Sequence, residues 1–198
     1  IAASLTVCLL LAGAAAHAAP FAYVPNSSSN TVSVIDVATS TVVATVPVGA
    51  GPRGVAVNGA GTRAYIGIGF DNNVAVLDTA TNTVIATIAV GLQPRGLALN
   101  STGTRLYVAN ATAVGLTGSV SVVDTTSNSV RTTIAVGQQP FGVAVNPAGT
   151  RVYVSNESDN SVSVIDAATN TVLTTIAAVA TRPWGLAVNP AGTKLYVT

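Results

Sequence analysis

The 198-residue chain contains no methionine, one cysteine, one histidine and one tryptophan, and only 8% of its residues are charged. Each scarcity closes off a class of function. A formal net charge of +1 leaves no electrostatic footprint for nucleic acid or for an anionic membrane surface. A lone cysteine rules out a disulfide framework. Thiolate and imidazole, the usual ligands of transition metals, reduce to Cys8 and His17. Long apolar runs are missing too, except at the N-terminus. The 49% hydrophobic content comes from Val, Ala and Ile alternating with Thr, Ser and Asn, and no internal run reaches the roughly 18 residues of a membrane-spanning helix.

The one continuous apolar stretch, Leu5 to Ala16, has the length of a signal-peptide core, and Ala16-His17-Ala18 has the small-x-small form of a cleavage site. Residues 1–18 are therefore expected to be an export signal cut after Ala18, followed by a repeat domain over residues 19–198. The destination is the periplasm, the cell surface or the medium. Cys8 lies inside the apolar stretch rather than after the small residues that end it, which argues against a lipidated cysteine. Cleavage would leave a mature chain without Cys, His or Met, so neither a metal nor another cofactor is expected. No Met and no basic residues precede the stretch, and the true start of the gene product is expected further upstream.

What the chain has is repetition. Tyr23, Tyr65, Tyr107, Tyr153 and Tyr196 open segments 42, 42, 46 and 43 residues long. Each copy runs through the same signals, cleanest in Tyr153-Val-Ser-Asn156, Ser161-Val-Ser-Val-Ile-Asp166, Thr171-Val-Leu-Thr-Thr-Ile176, Pro183-Trp-Gly-Leu-Ala-Val-Asn189 and Pro190-Ala-Gly-Thr193. Apolar and small polar residues alternate with period two, the pattern of half-buried strands. The second copy places strands near Ala64 to Gly67, Val74 to Asp78, Val84 to Ile88 and Gly96 to Asn100. Turn chemistry separates them: Asn-Pro-Ala-Gly-Thr at Asn146 and Asn189, and Asp-x-x-Thr-Asn after Asp78 and Asp166.

A four-stranded antiparallel module repeated every 40 to 50 residues is the sequence signature of a β-propeller. The fold class is all-β, with about four blades in this chain. Counted from the Gly-x-Ala-x-Asn strand, there are three strands of one blade, three whole blades and two strands of another. The phrases Tyr107-Val-Ala-Asn110 and Tyr153-Val-Ser-Asn156, with Pro-x-Gly-x-Ala-x-Asn and the Asp-x-x-Thr-Asn connectors, resemble the YVTN family of β-propeller repeats found in exported bacterial and archaeal proteins. The resemblance covers about residues 21–198. It weakens at Tyr65-Ile-Gly-Ile68, which lacks the Asn, and at Ala177-Ala-Val179, where a recurrent Gly is replaced. The family implies a larger ring, commonly of seven blades, so further blades are expected after Tyr196-Val-Thr198. The alternative is closure as four blades, with Gly185 to Asn189 completing the first.

Subtracting what recurs isolates candidate function. In an up-and-down meander, the loop after each Tyr-Val-x-Asn and the loop carrying Pro-x-Gly share one face, and there the copies differ. Arg53, Arg95, Phe141 and Trp184 occupy the Pro-x-Gly position, while Asp71, Glu157 and Asp159 lie in the loops after the Tyr strands. These seven are the candidate ligand-binding residues, with no catalytic residue among them, and packing of the blade ends near the ring entrance explains Phe141 and Trp184 equally well. The three carboxylates read more naturally as solvated loop acids than as catalysts, and the two arginines at Pro-x-Gly suggest an accessible, polar setting. The recurrent charges read as structure: Arg63 with Asp78, Arg105 with Asp124 and Arg151 with Asp166 as cross-strand pairs worth roughly 0.2 to 1 kcal/mol each, each Asp also being able to cap its own turn. Asn26, Asn110 and Asn156 begin Asn-x-Ser/Thr sequons that turn chemistry explains equally well.

Two functions remain. The favoured one is a secreted or cell-surface module that binds protein or cell-envelope ligands through its variable face. The rival is an exported propeller enzyme or propeller subunit, of the lactonase-type or redox-associated kind similar to this repeat, with its active site in blades beyond this chain. An outer-membrane barrel is disfavoured, because strands of about five residues fall short of the roughly nine to eleven that a bilayer requires.

Overall fold

The computed structural model describes residues 21–113 and 115–198, and every helix-or-strand element among them is a β-strand. The expected signal segment lies outside the described residues. Four antiparallel groups and a final hairpin follow in chain order. The first sheet is β1 (Phe21–Asn26), β2 (Thr31–Asp36) and β3 (Thr41–Pro47). The second is β4 (Pro52–Val57), β5 (Arg63–Ile68), β6 (Asn73–Asp78) and β7 (Thr83–Ala89). The third is β8 (Pro94–Leu99), β9 (Arg105–Asn110), β10 (Thr117–Asp124) and β11 (Ser129–Gln138). The fourth is β12 (Pro140–Val145), β13 (Arg151–Asn156), β14 (Ser161–Asp166) and β15 (Thr171–Ala177), and β16 (Leu186–Val188) pairs with β17 (Leu195–Val197).

This is the blade count the sequence predicts: three strands, three full blades and two strands. The four strands predicted in the second copy overlap β5 to β8. β16 pairs with β17 and packs beside β12 rather than joining β1, so the described strands do not close a four-blade ring.

Period two explains how the blades stack. Along β5, Ala64, Ile66 and Ile68 pack onto Val32, Val34 and Val46 of the first blade, while Tyr65 points the other way into the cluster with Val108 and Leu106 of the third. Tyr107 repeats the arrangement between the third blade and Val152, Val154 and Ile165 of the fourth. Middle strands are therefore buried on both faces, and outer strands such as β7 are largely exposed. A one-residue bulge recurs in each pairing of the last two strands, as between Val76 and Leu77, where Ile85 is the extra residue and faces solvent.

The repeated tyrosine reveals one imperfect interface. Burial pushes the Tyr23 and Tyr65 hydroxyls up in pKa, offset in part by hydrogen bonding to Thr79 and Thr125 respectively. Those threonines in turn donate to the carbonyls of Gly61 and Gly103, each at 2.6 Å. At the next interface the corresponding residue is Ala167, and the wholly buried Tyr107 hydroxyl has no partner among the described residues. Ala167→Thr is expected to complete the chain and raise stability by about 1 kcal/mol, read from urea unfolding. Tyr107→Phe should cost less than Tyr65→Phe.

Candidate functional site

The site is built where one blade hands over to the next. The residue before each Pro-x-Gly proline, namely Gly51, Gln93, Gln139 and Arg182, has positive φ, between 46° and 66°. Three of these are held by an Asn of the preceding blade: Gly51 N donates to Asn30 Oδ1 (2.9 Å), Gln93 N to Asn72 Oδ1 (2.9 Å) and Arg182 N to Asn160 Oδ1 (2.7 Å). Asp71 and Asp159 do related work, accepting from Ala50 N (2.9 Å) and Gln138 N (2.6 Å). The loop after each Tyr strand and the loop leading to Pro-x-Gly thus share one face.

Pro-x-Gly is itself a bulge. Pro52 faces Ile68 but Val55 faces Ile66, so one more residue stands on β4 than on β5, and the same shift recurs at Pro94 and Pro140. A bulge re-aims the side chain that it carries. The glycine that follows answers a different need: a Cβ on Gly54 would overlap the carbonyl oxygen of Arg95, one on Gly96 that of Phe141, and one on Gly142 that of Trp184. Neighbouring inner strands therefore touch backbone to backbone, and only glycine fits.

That contact sets Arg53, Arg95, Phe141 and Trp184 in a row around a cavity of about 230 Å³. Phe141 and Trp184 stack at 5.0 Å between centroids with an interplanar angle of 7°. The Arg95 guanidinium lies 5.2 Å over the Phe141 ring, a cation–π arrangement. Arg53 lies 5.9 Å over Phe70 instead. Trp184 is 49% exposed. The expectation of an accessible setting at this position is met by Arg53 but not by Arg95, whose side chain is only 16% exposed.

Arg95 also belongs to a polar cluster spanning three blades. Its Nη1 donates to Glu157 Oε2 at 2.9 Å and its Nη2 to Gln139 Oε1 at 2.8 Å. Arg182 donates to Glu157 Oε1 from Nε at 3.0 Å and also from Nη2. Gln139 Nε2 donates to the Thr112 carbonyl. Glu157 is thus not a solvated loop acid: it is 7% exposed because two arginines compensate its desolvation. Burial pushes its carboxyl up, but hydrogen bonds from Arg182 and Arg95 outweigh this and hold it below the ordinary value. Of the seven predicted site residues, Arg95, Phe141, Trp184 and Glu157 form one connected patch with Arg53 at its rim, whereas Asp71 and Asp159 serve as loop tethers. Gln139 was not among the predicted residues. The recurring position before Pro-x-Gly was the signal that singles it out.

The recurrent charges are structural, with one correction. Arg63 pairs with Asp78, and Arg151 with Asp166 at 2.8 Å. Arg105 sits opposite Asp124 in register, yet its guanidinium reaches across to the Ala167 carbonyl at 2.5 Å, and Asp124 pairs with Arg131 at 3.2 Å. The aspartates cap their turns, as Asp78 Oδ1 does for Ala80 N and Thr81 N at 3.0 and 3.1 Å. Asn110 and Asn156 are fully buried and donate to serine hydroxyls, so neither amide is open to glycosylation. No group of three His, Cys, Asp or Glu side chains suited to a metal occurs among the described residues.

Glu157→Gln is expected to destabilise the fold by about 3 kcal/mol, since it leaves the Arg95 charge buried without its counterion. Because folded Glu157, Asp78, Asp124 and Asp166 all titrate below their ordinary values, the stability they supply is complete above the usual carboxylate range. It is lost as pH falls through the folded values. Urea midpoints should therefore drop between about pH 5 and pH 3, with a shallower drop in Glu157→Gln. Gly96→Ala should cost about 1 to 3 kcal/mol through overpacking against the Phe141 carbonyl, measured in the same titration.

No protein-family model matches the chain, and no curated protein matches it in sequence. Among solved structures it is similar to a chain of Kuenenia stuttgartiensis hydrazine synthase, with a TM-score of 0.82 and 24% identity. The match covers 89% of this chain and 51% of that one, so this chain spans about half the length of its structural neighbour. The likeness is one of fold: this chain is an all-β array of propeller blades.

Proposed function

We propose that this chain is a binding module: a propeller of the YVTN type, exported by its N-terminal segment, which recognises a protein or cell-envelope ligand through its variable-loop face. The observation that carries this reading is the Arg95–Phe141–Trp184 ladder, in which stacked aromatics and a guanidinium converge from three blades and leave Trp184 half exposed. Aromatics and arginines are the residues that dominate binding energy once an interface covers them. By contrast, Glu157 is bound to two arginines, and Asp71 and Asp159 each hold a backbone amide of the following loop, so none of the three stands beside a second carboxylate as general acid and base work by a pair requires.

A second reading draws on the likeness in fold to a chain of hydrazine synthase, an enzyme. In it, these blades are the scaffold of a longer exported enzyme whose active site lies outside residues 21–198. Hydrolase activity retained by this chain alone would argue against the binding role.

The test is retention of an envelope-fraction component from the parent organism on immobilised chain, repeated with Trp184→Ala. Truncation of Trp184 is expected to weaken retention by about tenfold or more while leaving the urea midpoint within the range of a surface substitution. Equal retention by both proteins, or none by either, would overturn the proposal.

A further inference from the structure

A second cavity, of about 510 Å³, opens beside the aromatic ladder and shares Arg95 with it. Its lining contains no apolar side chain: Ser158, Asn160 and Thr181 complete a wall begun by the Arg95–Gln139–Glu157–Arg182 cluster. Accounting for each polar group shows what is left for a guest. The Glu157 oxygens already accept from both arginines. The Gln139 oxygen is taken by Arg95, and its nitrogen by the Thr112 carbonyl. Asn160 Oδ1 is taken by the Arg182 amide. Each of these side-chain oxygens therefore already accepts a hydrogen bond from the protein.

Donors remain. Arg182 bonds Glu157 through Nε and Nη2, which leaves Nη1 over, and its side chain is 67% exposed. Asn160 keeps its amide nitrogen, and the Ser158 and Thr181 hydroxyls have no side-chain partner among the described residues. Two arginines against one carboxylate leave the lining with a surplus positive charge, the nearby Asp159 being turned to the Gln138 amide instead. The Arg182 backbone, held at φ 55° by Asn160, fixes the base of that side chain in advance.

We infer that this cavity is an oxyanion site, taking a carboxylate or phosphate group of a ligand with Arg182 as its principal contact. Surplus donors and surplus positive charge select an acceptor-rich anion, because charge-assisted hydrogen bonds from a guanidinium are the strongest that this wall can offer. The inference rests on reading this face as a binding surface, and it gives that face a charged anchor beside its aromatic one.

The experiment titrates the full chain with inorganic phosphate and, separately, with acetate, at ionic strength held constant with sodium chloride, following the arginine Nε–H resonances by NMR. Saturable shifts of the Arg182 and Arg95 signals are expected with at least one anion, and the tighter of the two names the group. Arg182→Gln should weaken that binding about tenfold or more, Arg182→Lys should retain part of it, and Arg131→Gln, on a different blade position, should leave it unchanged. Non-saturable shifts with both anions, or equal affinity in Arg182→Gln and Arg131→Gln, would overturn the assignment. Neither result depends on Trp184, so the oxyanion site and the wider binding role stand or fall separately.

Discussion

Everything on the variable face depends on the direct backbone contact between neighbouring inner strands. At Gly54, Gly96 and Gly142 the chain of one blade comes so close to the carbonyl of the next that no side chain fits between them. That approach fixes how tightly the blades fan around their common axis. It also places the residue before each glycine, thrown out of the ladder by the bulge, directly beside its counterpart in the next blade. Four residues that are about 42 to 46 apart in sequence thereby become a row of neighbours, which is why Arg95, Phe141 and Trp184 can form a ladder at all.

The polar groups then divide by whether they close the scaffold or remain open. Turn-capping aspartates and their arginine partners satisfy one another within blades, and the buried Asn110 and Asn156 donate to serine hydroxyls while their side-chain oxygens stay without a partner among the described residues. Glu157 is the exception that makes the face distinctive. Its buried carboxylate draws in the largely buried Arg95 and, from two blades further along, the exposed Arg182, and so turns both of its oxygens to guanidiniums beside the neighbouring cavity. A carboxylate used in this way makes the surface around it better suited to anions, the reverse of what its own charge suggests.

The fold was legible in the sequence because each signal that encodes it is local and repeated. Period-two alternation marks strands, Asn-x-x-Gly-Thr and Asp-x-x-Thr-Asn mark reversals, and the recurrence shows that one blade's solution serves for all. The site was legible only in part. Subtracting the repeated residues picked out Arg53, Arg95, Phe141 and Trp184, which line one cavity, since variation at a fixed repeat position survives translation into space. The same subtraction grouped Glu157, Asp71 and Asp159 as solvated loop acids, and only the structure separates them: Asp71 and Asp159 are exposed and each accepts one backbone amide, whereas Glu157 is buried against two guanidiniums. Arg105 shows the same limit: its strand register with Asp124 was right, yet a long side chain chose the Ala167 carbonyl across the interface.

By itself, then, the sequence determined the strands, their order and their grouping into blades, because hydrophobic periodicity and turn chemistry act over a few residues and need no knowledge of the neighbour. Only the tertiary structure decided the partners of the charged groups: Glu157 between Arg95 and Arg182, Arg105 on Ala167, and the unmatched Tyr107 hydroxyl opposite the same alanine. Those outcomes turn on which side chains face each other across blade interfaces. There a separation of a few ångströms between residues tens of positions apart sets whether a charge is paired, capped or left free.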